Sequence, residues 1–254
     1  MGKPTGPRLL AKRLREVEVP EPGLPEPGPV HDMRVAARRL RAALRLLQLR
    51  ELEPSVKELQ DALGAVRDLQ LQQAWLKKRD PALARRRAAL LLKAERSLEA
   101  VLRRWHAQIL PDLVEAAAKR PHLKPGGARV RKLLRKQLGK LDRRLDAALK
   151  ERGLGTAHRV RVSVKQVRYL FELVEKSLPK PAALLLRELK ALQDVLGELR
   201  DADVRAQILQ RSGRGPLARR QLEERARLFR KAEARLRRFK ARHYVRKAAR
   251  LLGR

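Results

Sequence analysis

Apolar residues recur along this chain at steps of three and four, and no stretch alternates with a period of two over a useful length. The pattern predicts helices and no strands. Proline and glycine punctuate it at Pro54, Pro81, Pro111, Pro121 to Gly127, Gly153 to Thr156, Pro179 to Pro181 and Gly213 to Pro216. Between the breaks lie helical patterns at 5–17, 30–50, 54–78, 82–119, 128–151, 157–177, 182–211 and 216–250. A bend or restart is expected at Pro111. The run from Pro20 to Pro29 has proline or glycine at seven of ten positions and reads as a stiff, extended connector.

The pattern also repeats. His31-Asp32-Met33-Arg34-Val35-Ala36-Ala37-Arg38-Arg39-Leu40-Arg41 recurs in the second half of the chain, beginning at His158 and ending at Arg168. Lys57 to Asp68 recurs as Lys190 to Asp201, with eight of twelve positions identical. The spacing between the two motifs is longer in the second copy, so the second half carries an insertion around Ser177 to Leu185. Matching motifs in matching order imply two similar units of about four helices each, related by approximate twofold symmetry. We place the first half at 1–121 and the second at 122–254.

Composition agrees with helices. Of 254 residues 43% are hydrophobic, enough for a sizeable core, but only 3% are aromatic, so Leu, Ala and Val must build it. The absence of cysteine excludes disulfides, cysteine zinc sites and thiol catalysis, and fits a reducing compartment. The longest apolar runs, Ala88 to Leu92 and Ala182 to Leu186, are too short to cross a bilayer, and Arg8 to Arg13 alternates charge with apolar residues where a secretory signal would be uniformly apolar. A soluble, cytoplasmic, all-α protein is expected. Its formal net charge is +35, which is costly for a compact state and points to a polyanionic partner.

The duplicated helix shows where such a partner would bind. Met33, Ala37, Leu40, Leu44 and Leu47 form one apolar face, matched by Val160, Val164, Val167, Phe171 and Val174. One residue further on, Arg34, Arg38, Arg41 and Arg45 form a basic stripe with His31 three residues before it. The second helix gives His158, Arg161, Lys165 and Arg168, then Glu172 in place of a fifth base. A stripe of this kind is either a solvated face or an anion site. Unrelieved like charges four residues apart repel, and their duplication in equivalent registers favours the anion site. Two such stripes facing each other would line a basic channel for a chain of phosphates, which guanidinium groups grip in bidentate fashion. His31 and His158 are placed in the first turn of their helices, where free N–H groups favour an anion and a phosphate would raise the imidazole pKa. His106, His122 and His243 lack a partner at useful spacing.

The second repeat reads as structural. Leu59, Leu63 and Val66, with Leu192, Leu196 and Leu199, form core stripes, and Gly64 and Gly197 imply close helix approach. Asp61, Asp68, Asp194 and Asp201 would orient the arginines of the rows or simply pair with nearby bases such as Lys57 and Lys190, while Arg67 and Arg200 are weaker anion ligands.

These motifs resemble the CHAD family, the conserved-histidine α-helical domains. His31, Arg34, Val35, Arg38, Arg39, Leu40 and Arg41 follow its first pattern. His158, Arg161, Lys165, Arg168, Tyr169 and Glu172 follow its second, and the stretches 59–68 and 192–201 resemble its following motif. The resemblance implies two pseudo-symmetric four-helix bundles around a basic central pore that binds inorganic polyphosphate, often with polyphosphate granules. It carries His31, Arg34, Arg38, Arg41, His158, Arg161, Lys165 and Arg168 over as ligands, and the stripe itself adds Arg45. Some members adjoin a triphosphate-hydrolysing domain with a Glu-x-Glu-x-Lys strand. Glu16-Val17-Glu18-Val19-Pro20 imitates it only in part, since proline replaces the lysine, so hydrolysis is not expected. No catalytic residue, metal or cofactor is expected.

Two other readings use the same charge. An architectural nucleic-acid binder draws on the basic helices around 84–104, 128–144 and 219–250, although scarce aromatics disfavour single-strand recognition. A phosphohydrolase or phosphotransfer protein would use His31 or His158, or a metal held by the paired carboxylates. No membrane partner is expected.

Overall fold

The computed structural model describes residues 6–119, 127–174 and 181–252, and these residues are helical with no strand among them. The helices are α1 (Gly6–Glu18), α2 (Pro27–Leu47), α3 (Glu53–Lys77), α4 (Pro81–Arg104), α5 (Leu110–Lys119), α6 (Ala128–Glu151), α7 (Leu154–Val174), α8 (Pro181–Arg211), α9 (Gly215–Ala241) and α10 (Tyr244–Leu251). Contacts divide the chain into Met1–Pro125 and Gly126–Arg254. The expected 121/122 boundary, the break beginning at Pro121, His122 and most of the break at Pro179 to Pro181 lie outside the described residues. So do residues 175–180, at the start of the expected insertion.

In the first unit α1, α2, α3 and α4 pack in sequence, and α5 returns against α1, which closes a ring of helices. The apolar face of α2 meets its expectation in full: Met33, Ala37, Leu40, Leu44 and Leu47 are all buried, against Leu59, Leu63 and Val66 of α3 and Leu98 of α4. Trp105, fully buried, is the largest side chain in this core. It begins a π turn, Trp105–Ile109, that joins α4 to α5 just before Pro111. Proline has no N–H for the carbonyl four residues back and its ring collides with that carbonyl, so the wider turn relieves the clash. The disturbance expected at Pro111 is this turn. Its next residue, His106, reaches Glu21 at 2.6 Å and ties the turn to the segment before α2.

That segment corrects the connector expected over Pro20–Pro29. Glu21–Gly23 is a short 3-10 turn, the Leu24–Pro25 bond is cis, and Pro27 and Pro29 lie within the first turn of α2. Proline suits that turn because its missing N–H would have had no helical partner there. The helix therefore starts at Pro27, ahead of the limit that the pattern suggests.

In the second unit α6, α7, α8 and α9 pack in sequence, α9 closes on α6, and α10 folds over α6 and α8. Val160, Val164, Val167, Phe171 and Val174 are buried with Leu192, Leu196 and Leu199. Lys240 of α9 reaches Asp142 of α6 at 2.6 Å and Asp146 at 2.9 Å, and Arg235 reaches Glu188 of α8 at 2.8 Å. The helix expected over 216–250 is broken at Arg242–His243, where His243 adopts φ 52°. The turn lets Val245, Ala248 and Leu252 enter the core, and it sets the Tyr244 ring on Phe239 at 5.4 Å between centroids.

Candidate functional site

In each unit the His-led row lies along the helix that the sequence indicated, beside the apolar face and one residue removed from it. Backbone geometry fixes this, because positions three and four apart stack on one side of a helix. The apolar face anchors the helix against its neighbours, and the row is left between core and solvent. His31 and His158 are the more exposed members of the rows, their rings only partly covered, whereas Arg34, Arg38, Arg41, Arg45, Arg161, Lys165 and Arg168 are half-buried. Each histidine is the fifth residue of its helix rather than a first-turn residue. Its own N–H is thus within the helical ladder, and the free N–H groups expected beside it are a turn away.

In the first unit α3 supplies what touches the row of α2. Nη1 of Arg34 donates to Asp68 at 3.3 Å, and its guanidinium lies over Gly64, where a Cβ would stand 3.4 Å from Nη2. Gly64 therefore accommodates an arginine and not a close helix backbone. At Gly197 a Cβ would meet nothing within 4 Å, so the close approach expected there is absent too. Further along, Arg41 donates to Gln60 at 2.9 Å and Glu53 at 2.7 Å. Nε of Arg45 donates to the same Glu53 at 2.9 Å. Burial alone would push the Glu53 carboxyl up, but hydrogen bonds from Arg45 and Arg41, with their charges, hold it below the usual range. The far end of this row is neutralised from outside its own helix.

The second row is neutralised at the same register by a different residue. Arg168 stands 3.5 Å from Glu172 of its own helix, and its guanidinium lies over the Tyr169 ring at 4.8 Å. The position in α8 that corresponds to Glu53 is Leu186. Both rows thus end in a carboxylate.

At the histidine end the second repeat contributes. Burial holds the His31 imidazole below its ordinary value, followed by the charge of Arg67 and then of Arg38 and Arg34, with Asp32 acting in the opposite sense. Burial likewise lowers His158, followed by Arg200, Arg161 and Lys165, with Asp203 opposing. Arg67 and Arg200 occupy matching positions of the second repeat. The structure sets both beside the histidines, where the sequence ranked them as weaker ligands. Asp203 had no sequence signal of its own. It is 6% exposed and accepts hydrogen bonds from Arg200 at 3.0 Å, Gln207 at 3.0 Å and Arg225 at 3.2 Å. Its counterpart in the first unit is Gln70, buried and donating to the Pro25 carbonyl at 2.7 Å. His158, Arg161, Arg200 and Asp203 line a small recess closed by Leu196 and Leu199.

Of the four aspartates expected to orient basic side chains, Asp68 meets Arg34, while Asp61 pairs with Lys57 of its own helix. Among the described residues no three His, Asp or Glu side chains are grouped to hold a metal ion, and no helix is long and apolar enough to cross a membrane. Glu16–Glu18, the partial imitation of a hydrolase strand, is the last turn of α1. Each site is chemically a set of hydrogen-bond donors with positive charge, apt for phosphate oxygens.

The model of the CHAD domain family matches residues 8–210. The chain belongs to the CHAD family. The match ends at the close of α8, and α9 and α10 complete the second bundle beyond it. Two solved structures share the fold. The CHAD domain from the plant Ricinus communis is similar over 91% of this chain and 90% of its own, with 23% identity and a TM-score of 0.69. PptA from Streptomyces chartreusis is similar over 96% of this chain and 99% of its own, with 17% identity and a TM-score of 0.62. At these identities the likeness is one of fold. No curated protein matches the chain at a significant level.

Proposed function

We propose that this CHAD protein binds inorganic polyphosphate, without hydrolysing it, through the histidine ends of its two rows: His31, Arg34, Arg38 and Arg67 in one unit, and His158, Arg161, Lys165 and Arg200 in the other. The supporting observation is that two separate motifs, each present once in either half of the chain, converge in each unit on one cluster of cationic donors beside an imidazole. A solvated surface stripe would need no second helix to bring an arginine to its histidine. Binding rather than turnover is supported by the carboxylates at hand: Asp68, Glu53 and Asp203 are each engaged with arginine. Arg41, Arg45 and Arg168 belong to the rows but are restrained by Glu53 and Glu172, so they contribute less.

Alanine substitution tests the assignment. A charge-assisted hydrogen bond is worth about 1.5–3 kcal/mol, and about 1.4 kcal/mol is tenfold in affinity. Arg34→Ala with Arg161→Ala should therefore weaken polyphosphate binding by roughly a hundredfold or more. Arg242→Ala with Lys247→Ala, at exposed positions near the end of the chain, should cost severalfold at most. Equal losses from the two pairs would defeat the assignment, as would sustained release of orthophosphate from polyphosphate by the purified protein.

A further inference from the structure

The solvent-facing side of α4 carries a basic surface separate from the row of α2. Arg85, Arg96 and Arg103 fall within about 20° of one line along the helix, and Arg86 and Lys93 fall on a second line about 100° round. All five are exposed, and none has an ion-pair or hydrogen-bond partner among the described residues. Between the lines lie the exposed, small Ala89 and Ala100. Glu99 at the edge of the face is its acid, and Arg104, which continues the second line, pairs with Glu58. This is a different condition from the row of α2, where Arg34, Arg41 and Arg45 all meet carboxylates.

A third repeat shows which features of this face are particular to it. Leu83-Ala84-Arg85-Arg86 recurs as Leu217-Ala218-Arg219-Arg220, and in the same register Lys93, Arg96, Arg103 and Arg104 correspond to Arg227, Arg230, Arg237 and Arg238. The buried positions match as well, Leu98 with Ala232 and Trp105 with Phe239. On α9, however, Arg227 is paired with Glu224 and Arg237 with Glu233, and Glu223 stands where α4 has Ala89. The copy on α9 is partly neutralised by acids of its own helix, which pair two of its bases, although among the described residues Arg219, Arg220 and Arg230 meet none. The face of α4 is not.

We propose that the exposed face of α4 docks on the sugar-phosphate backbone of duplex nucleic acid without reading its sequence. The first line runs for about 27 Å and the second, from Arg86 to Lys93, for about 10 Å at 1.5 Å per residue, and at the outer surface of a helix about 10–12 Å across they stand about 8 Å apart. Long arginine stems widen that separation at the tips, so the lines straddle the phosphate rows bordering a groove about 6 to 12 Å wide. Alanine along the middle permits close approach. The face has no aromatic ring on which an unpaired base would stack, which selects a duplex over a single strand. Phosphate contacts of this type fix position and carry no sequence information.

The test uses the full chain, a fluorescein-labelled DNA duplex of mixed sequence, and polyphosphate as a separate ligand. Replacing Arg85, Arg96 and Arg103 together by alanine should weaken duplex binding by roughly tenfold or more and lower the slope of log K against log salt by about 3. Replacing the same three by lysine should keep most of the affinity and slope, since charge rather than shape makes the contact. Polyphosphate affinity should change by less than about twofold in the alanine variant. An unchanged duplex slope, equal losses from lysine and alanine, or a parallel loss of polyphosphate binding would each overturn the proposal. None of these outcomes depends on the histidine-led rows, whose own failure is read from Arg34 and Arg161.

Discussion

Glu53 illustrates how much of the site is decided by one side chain. Its carboxylate bridges Arg41 and Arg45 at the far end of the first row, where its side chain is 16% exposed. Glu53→Gln removes the charge and keeps the shape. It should lower stability by roughly 1–3 kcal/mol, because two half-buried guanidinium groups lose their counter-charge. The same change should raise polyphosphate affinity severalfold by releasing Arg41 and Arg45 to the ligand. Thermal unfolding and a binding titration of one variant check both signs, and a loss of affinity would count against the row as a ligand site. The pH dependence follows from the lowered carboxyl: Glu53 stabilises the fold above its ordinary value near 4.5 and ceases to do so as pH falls through the lower folded value. Nothing in the sequence marked Glu53, because its partners lie across a turn and its counterpart in the second unit, Leu186, carries no charge. Arg34 and Arg161 were legible because the repeat displays them twice.

At the scale of elements, the π turn between α4 and α5 is held by Trp105. Its indole is fully buried, in a core otherwise built from small aliphatic side chains. Trp105→Ala should cost about 3–5 kcal/mol. Trp105→Phe should cost clearly less, since Phe239 fills the corresponding position of α9. Denaturant unfolding of the two variants separates a cavity from a mere loss of ring contacts, and equal costs would mean that the turn does not depend on filling the site. Helix limits set by proline or glycine could be read from the chain, as at Pro81, Gly153 and Gly213. The start of α2 could not, because proline is as comfortable in a first helical turn as in an extended connector. The break between α9 and α10 was also hidden. No proline or glycine stands at Arg242–His243, and a left-handed histidine is accepted there because Val245, Ala248 and Leu252 gain burial.

The whole molecule carries a formal charge of +35, and a large share of that charge sits on half-buried or exposed arginine. Such a chain repels itself when folded, and any ligand that binds only the folded form stabilises it by mass action. Polyphosphate at about a hundred times its dissociation constant should contribute about 2.7 kcal/mol. At roughly 2–4 °C per kcal/mol for a chain of this size class, Tm should rise by several degrees. Sodium chloride at matched ionic strength should give a smaller rise, and an equal one would reduce the effect to screening. The fold class was legible at this scale because periodicity and repeat agreed. The most direct test of the central claim lies in the imidazoles. His31 and His158 are held below their ordinary pKa by burial and by Arg67 or Arg200, so in the free protein they are neutral at pH 7 and stabilise the fold above about pH 6.5, an effect lost as pH falls through their folded values. A phosphate chain beside them favours the charged ring and must raise both values. Titrating the histidine resonances by NMR with and without polyphosphate should show His31 and His158 moving up. No movement at either would contradict the account.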